Sequence, residues 1–175
     1  MDDELLDVVD EYDTVISTIN RKDYKQFLSE KRGYIRASEL FIMNDEGKLW
    51  APVRVSSKTI APNGYDFAAA GHVASGEGYR ETIIREVKEE INLDIAPGDI
   101  EFFAKLKTNS IRYFRSLYLL RTNQTPMLNP TEFAFAEWLT PNELISSIDD
   151  GHAAKSVLHD SVTVLKMYLT NVSPN

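Results

Sequence analysis

The chain has 175 residues, 43% hydrophobic and 26% charged, with a formal net charge of −8 and no cysteine. This length and balance fit one globular domain with a sizeable core plus a terminal extension. The acidic balance argues against a sequence-independent binder of nucleic-acid polymers or membrane surfaces, and the lack of cysteine excludes disulfides, thiolate nucleophiles and cysteine-based zinc sites.

The opening Met1-Asp2-Asp3-Glu4 carries no basic-plus-apolar leader, and no apolar run reaches membrane-spanning length. The expected compartment is the cytoplasm. Residues 5–9 and 13–17 read as two short strands around the acidic turn Asp10-Glu11-Tyr12. This hairpin is either a homodimer contact or simply a sheet edge. A polar helix is predicted over residues 21–29, ending before Gly33. Residues 1–30 thus read as an extension and residues 31–175 as the main domain.

Residues 35–43 and 49–55 form a predicted hairpin around Asn44-Asp45-Glu46-Gly47. A Ser-, Thr- and Pro-rich loop follows, and residues 65–73 return to extended structure. A helix starts near Gly78 or Tyr79, with Ile84, Val87 and Ile91 as its apolar stripe. Beyond Pro97-Gly98, residues 101–106 and 111–121 alternate as paired strands, and residues 133–139 are a last strand. Thr140, with Glu143 at the third helical position, starts a helix, and residues 153–169 form a final one. This order fits an α/β fold: a mixed sheet between helices, an α/β/α sandwich.

The most informative stretch is G-H-V-A-S-G-E-G-Y-R-E-T-I-I-R-E-V-K-E-E-I-N-L, residues 71–93. Glu86, Glu89 and Glu90 fall within about a 100° arc of the predicted helix, because positions three and four apart are neighbours. Like charges that close weaken a helix, so the run implies a cation, and clustered carboxylate oxygens suit Mg²⁺ or Mn²⁺. Gly71, Gly76 and Gly78 let the backbone turn tightly and approach an anion.

The stretch resembles the signature of the Nudix hydrolases, G-x5-E-x7-R-E-U-x-E-E-x-G-U with U a bulky aliphatic. Gly71, Glu77, Arg85, Glu86, Val87, Glu89, Glu90 and Leu93 match in register; Asn92 replaces the helix-ending glycine. Asn tolerates the left-handed conformation, so this departure is mild. The resemblance implies the sandwich fold and a hydrolase cleaving a diphosphate linkage in a nucleoside diphosphate-X or other phosphorylated small molecule, with Mg²⁺ or Mn²⁺ as cofactor. It implies Glu86, Glu89 and Glu90 as metal ligands, with Glu89 also a candidate base. Glu77 is a candidate for catalysis through water or for a bracing ion pair, and Arg85 for holding the carboxylates in place.

Outside the signature, D-V-V-D-E-Y-D-T-V-I, F-I-M-N-D-E-G-K-L, A-A-G-H-V-A-S-G-E and W-L-T-P-N-E-L are similar to the branch that includes isopentenyl-diphosphate isomerase. The isomerase reaction is disfavoured: Ala70 stands where that enzyme needs cysteine, and residues 34–39 lack its histidines. His72 matches its Gly-His ligand, yet suits a loop hydrogen bond as well. Glu132 reads either as a general base or as a solvated carboxylate. Arg54, Lys58, Arg112 and Arg115 are candidate phosphate ligands. Tyr65 either stacks on a base or packs beneath the loop, and His152 and His159 have no expected task. The rival class is a Nudix-fold binding or regulatory protein without turnover, against which the intact Arg85-Glu86 and Glu89-Glu90 pairs speak.

Overall fold

The computed structural model describes residues 4–172. Alternation along one strand organises the molecule. Strand β3 (Tyr34–Met43) is buried almost throughout, with Leu40 and Ile42 on one face and Phe41 and Met43 on the other. A strand covered on both faces is expected to be apolar on both, as residues 40–43 are, while Arg36, Ser38 and Glu39 in its first half need polar partners.

The N-terminal β1 (Leu5–Val9) and β2 (Val15–Asn20) form an antiparallel hairpin, and β1 pairs with β3 at Val8 and Val9. The extension is therefore part of the main sheet, with β2 at its edge. A short 3-10 turn (Arg21–Asp23) leads into α1 (Tyr24–Ser29). Strand β4 (Leu49–Arg54) follows β3 through the predicted turn at Gly47 and pairs with β8 (Phe133–Leu139). Strand β5 (Ala69–His72) runs antiparallel to β3. On its other side β3 is parallel to β7 (Tyr113–Arg121), which carries β6 (Ile100–Thr108). The sheet is mixed and eight-stranded.

Helix α2 (Tyr79–Ile91) covers one face, burying Ile83, Val87 and Ile91 against Leu40, Ile42 and Tyr118. Each such side chain contributes about 1.5–3 kcal/mol on leaving water. Ile84, expected in that stripe, is only partly buried, and Ile83 takes its place, fully buried like Val87 and Ile91. Helices α3 (Pro141–Asp149) and α4 (Leu158–Val172) cover the opposite face through Leu144, Leu158, Val162 and Leu165. Thr140 Oγ1 accepts the Glu143 N–H at 3.2 Å, and Glu143 bonds back to the Thr140 N–H at 2.7 Å, the predicted capping pair. Among the described residues, no helix is long and apolar enough to cross a membrane.

Several boundaries moved: β2 runs over Val15–Asn20 rather than residues 13–17, and the helix expected over residues 21–29 is α-helical only from Tyr24. The final helix starts at Leu158 rather than residue 153, because Tyr65 N–H donates to Ala153 O and Lys155 N–H to Tyr65 O, each at 2.9 Å. Those bonds hold residues 153–155 extended. Strand β5 is confined to four residues, and β7 starts at Tyr113 because Arg112 is left-handed, with φ 57°.

Candidate active site

Helix α2 starts at the glycine-containing loop and ends at Asn92, whose φ of 51° and ψ of 35° make the left-handed cap expected there. Close packing between β5 and α2 explains Gly71. A Cβ there would lie 1.9 Å from Glu86 Oε1 and 2.1 Å from its Cδ. Any larger residue would occupy the space that the buried Glu86 carboxylate fills. The neighbouring Ala70 N–H donates to Glu90 Oε2 at 3.0 Å. The loop is also held from the N-terminal side. Buried Asp7 accepts from Ser75 Oγ at 2.7 Å and from Gly76 N at 3.3 Å, and Ser75 N–H donates to Leu5 O at 2.8 Å.

Arg85 is the hub. Its Nε and Nη2 donate to the two oxygens of Glu77, each at 3.1 Å, and its Nη1 donates to Glu86 Oε1 at 2.7 Å. Glu89 Oε2 lies 3.5 Å from Nη1, and its side chain is 58% exposed. Glu77 also accepts from Thr82 Oγ1 at 2.7 Å and Ala74 N at 3.3 Å. Burial disfavours the Glu77 anion, but Arg85, Thr82 and Ala74 together outweigh it and lower its pKa. The bonds from Glu77, joined by the Glu86 charge, raise the Arg85 pKa against the opposing effect of burial. Glu86 is pushed upward by burial, against the pull of Arg85. Glu77 thus braces the junction between loop and helix.

Behind this row lies a charge network that the sequence concealed. Lys155 Nζ sits 3.1 Å from Oδ1 of Asp66, which also pairs with Arg54. Burial drives Glu90 up to about 8, opposed by Lys155 and the Ala70 N–H. Buried Glu39 pairs with Arg115 Nη1 at 2.8 Å, and Ser161 of α4 bonds the same nitrogen at 2.9 Å. The available clue was Asp66, a lone charge in an otherwise apolar segment, since a buried charge requires a partner. Lys155 offered no clue, because it reads as part of the final helix.

The other expected site residues divide. Lys58 and Glu132 bond to one another at 2.5 Å. The loop before Glu132 reaches the end of α2, where Asn129 N–H donates to Glu90 O at 3.1 Å and Asn129 Nδ2 to Glu89 O at 3.3 Å. Arg54 is engaged by Asp66 and by Ile60 O at 2.8 Å. Arg112 donates to Gly33 O at 2.7 Å and lies over the Tyr34 ring at 4.2 Å. It lines a surface hollow with Asp10, Tyr12 and Tyr34 that includes none of the signature carboxylates. Arg115 is buried and committed to Glu39. Tyr65 packs in the core, its hydroxyl 3.3 Å from Glu137 Oε1. His72 Nε2 lies 2.9 Å from Tyr113 Oη. Burial, with the charges of Arg21 and Lys155, lowers its pKa to about 3, so the ring is neutral.

Among the described residues, no three carboxylate or imidazole groups converge on one point. Arg85 draws in Glu77 and Glu86, while Glu90 turns to the Ala70 N–H. The donor chemistry nevertheless fits a hard divalent cation: three carboxylates from one helix, the first seated in the space that Gly71 leaves.

Residues 33–160 match the NUDIX domain family. A Nudix hydrolase of Deinococcus radiodurans is 38% identical over 163 residues, spanning 91% of this chain and 92% of the relative. An uncharacterized Nudix hydrolase of Nostoc sp. is 35% identical over 171 residues, spanning 96% and 97%. The crystal structure of DR0079 from Deinococcus radiodurans superposes with a TM-score of 0.80 at 34% identity, over 91% of this chain and 98% of that one. With the signature in register on a loop and helix built for it, the chain belongs to the Nudix hydrolases, enzymes that act on phosphorus-containing anhydrides.

Proposed function

We propose that this protein is a Mg²⁺- or Mn²⁺-dependent hydrolase that cleaves a diphosphate linkage in a nucleoside diphosphate-X or other phosphorylated small molecule. The observation that carries this reading is the seating of Glu86 in the space above Gly71, with Glu89 and Glu90 following on the same helix. Nudix hydrolases generally use divalent metals. Glu86, Glu89 and Glu90 are the residues that would hold one here. The chemistry such a cation would supply is positive charge beside the diphosphate and a lower pKa for a water bound to it.

The chain's own groups do the rest. Arg85, anchored on both oxygens of Glu77, fixes the Glu86 carboxylate against Gly71. Glu89, exposed and only loosely approached by Arg85, is the carboxylate freest to take a proton from water. Glu132 is the alternative base, held by Lys58 beside the end of α2. Lys58 and the backbone at Gly71 are the proposed phosphate contacts, and Arg54 acts through Asp66. Arg112, tied to Gly33 O and the Tyr34 ring, would have to give up those contacts to meet a phosphate.

The test is cleavage of nucleoside triphosphates, nucleotide sugars, dinucleotides and ADP-ribose with Mg²⁺, beside Glu90→Gln. Hydrolysis of one class that vanishes in the variant supports the reading. Hydrolysis that survives in the variant refutes the site assignment. Isomerisation of isopentenyl diphosphate, which Ala70 disfavours, would refute the reaction.

A further inference from the structure

The N-terminal edge of the sheet is left unguarded by its sequence. Strand β2 is the outermost strand there, and among the described residues only β1 pairs with it. An open edge offers a row of backbone groups to any strand that can lie beside it, and proteins commonly guard such rows with charged residues or proline. The outer strands β6 and β8 follow that rule, with Glu101, Lys105 and Lys107 in the first and Glu137 in the second. Strand β2 reads Val15-Ile16-Ser17-Thr18-Ile19-Asn20, with no charge and no proline in a chain of net charge −8. Its first four residues are exposed.

The pairing with β1 fixes which groups face outward. Arg21 N–H donates to Glu4 O at 2.8 Å, so Arg21 turns its backbone towards β1. Bonded and non-bonded positions alternate along an antiparallel pair, which turns Ile19 and Ser17 inward and directs the N–H and C=O of Thr18 away from the sheet. The irregularity between Val8 and Val9 lies opposite the start of β2, so residues 17–20 are regular.

The two flanks of this neutral strand differ in charge. Residues 10–13, before it, carry the carboxylates of Asp10, Glu11 and Asp13; residues 21–25, after it, carry Arg21, Lys22 and Lys25 against Asp23 alone. Glu11, Lys22 and Lys25 are all exposed, and no ion pair within the chain engages them. A parallel copy would set like charges together at both ends, whereas an antiparallel copy sets opposite charges together twice. On an axis through Thr18, Ile16 of one copy faces Asn20 of the other, and the Glu11 turn comes beside Lys22 and Lys25. The same pairing carries Tyr12, 79% exposed, towards a surface hollow lined in part by Ile19, Gln26 and Phe27.

We infer that β2 is a homodimer edge: two copies pair their β2 strands antiparallel about a twofold axis at Thr18, with Glu11 of each against Lys22 and Lys25 of the other. Such a contact is self-complementary and closes, and it joins the two sheets into one. It draws on residues 10–25, fewer than the about 20–30 residues a side of a standard interface, so the dimer is weak and exchanges with monomer in the micromolar range.

The test is sedimentation equilibrium of the full chain over a wide range of concentration, at low and at high salt. The weight-average mass of the wild type should climb from one chain towards two, and salt should weaken the association. Thr18→Pro removes an N–H that β1 does not use, so it should keep the wild-type circular dichroism and stay monomeric throughout. Lys22→Glu with Lys25→Glu sets like charges together and should weaken the dimer at least about 10-fold. Adding Glu11→Lys to that pair should restore it, which no loss of folding could do. A wild type that stays monomeric overturns the inference. So does a dimer that Thr18→Pro and the charge reversal leave at wild-type strength. If Thr18→Pro fails to fold, the charge swap decides: rescue by Glu11→Lys upholds the edge, and no rescue overturns it.

Discussion

Gly71→Ala adds a single methyl at the tightest point of the site. The new Cβ would stand 1.9 Å from Glu86 Oε1, 2.1 Å from its Cδ and 2.6 Å from its Cγ. Non-bonded carbons prefer separations of roughly 3.5–4.0 Å, so the overlap cannot be absorbed by small shifts. Glu86 is 8% exposed, so its carboxylate cannot turn aside without losing packed neighbours. It must leave Arg85 Nη1, or β5 and α2 must separate. Overpacking costs about 1–3 kcal/mol, and losing a charged hydrogen bond about 1.5–3 kcal/mol. Because these are alternative ways of relieving one overlap, the expected destabilisation is about 1–3 kcal/mol. Urea unfolding should report this as a lower midpoint at unchanged slope. Hydrolysis should fall at least about 100-fold, mostly in kcat, as Glu86 is no longer placed. Gly98→Ala is the control, since nothing lies within 4 Å of a Cβ there. A Gly71→Ala protein within about 0.5 kcal/mol of wild type and fully active would refute the packing argument.

Other outcomes follow from the same contacts. Arg85→Lys keeps the charge but loses the two-pronged grip on Glu77; stability should fall by about 1–2 kcal/mol and kcat by about 10-fold or more, measured by urea unfolding and steady-state kinetics. Lys155→Met leaves Asp66 with Arg54 alone and removes the positive charge facing Glu90 and Glu39; a loss of about 2–3 kcal/mol in urea is expected, and no loss would show that the network is solvated. His72 is held neutral with a pKa of about 3, against 6.5 for an unperturbed ring. A depressed pKa means the unfolded chain binds more protons in that window. The contribution is therefore complete above pH 6.5 and lost as pH falls towards 3, by up to about 5 kcal/mol at 1.36 kcal/mol per unit. His72→Phe should flatten that part of the stability–pH curve, and an identical curve would contradict the assignment.

The reach of the sequence can be judged from particular residues. The signature helix was legible because it obeys one periodicity: the 3.6-residue repeat places Val87 and Ile91 inside and Glu86, Glu89 and Glu90 together, and Asn92 ends it in the conformation its side chain tolerates. Strand β3 was legible from the turn Asn44-Asp45-Glu46-Gly47 that ends it. What stayed hidden depends on contacts between distant segments. Lys155 reads as helix until its backbone is seen bonded to Tyr65, 90 positions earlier. Arg115 reads as a free cation until Glu39 is seen beside it. Asp7 shows no link to the glycine loop in sequence, yet it holds Ser75 and Gly76.

The most direct test of the account measures hydrolysis by wild type and Glu90→Gln on the best substrate of the panel, as Mg²⁺ is titrated from a chelated start. If the carboxylate row of α2 is the metal site, wild-type activity is absent under chelation and rises saturably with Mg²⁺. The variant, folded to the same melting temperature within a few degrees, should remain at least about 100-fold slower at every concentration. Full activity in the variant, or turnover by the wild type without any divalent cation, would contradict the account.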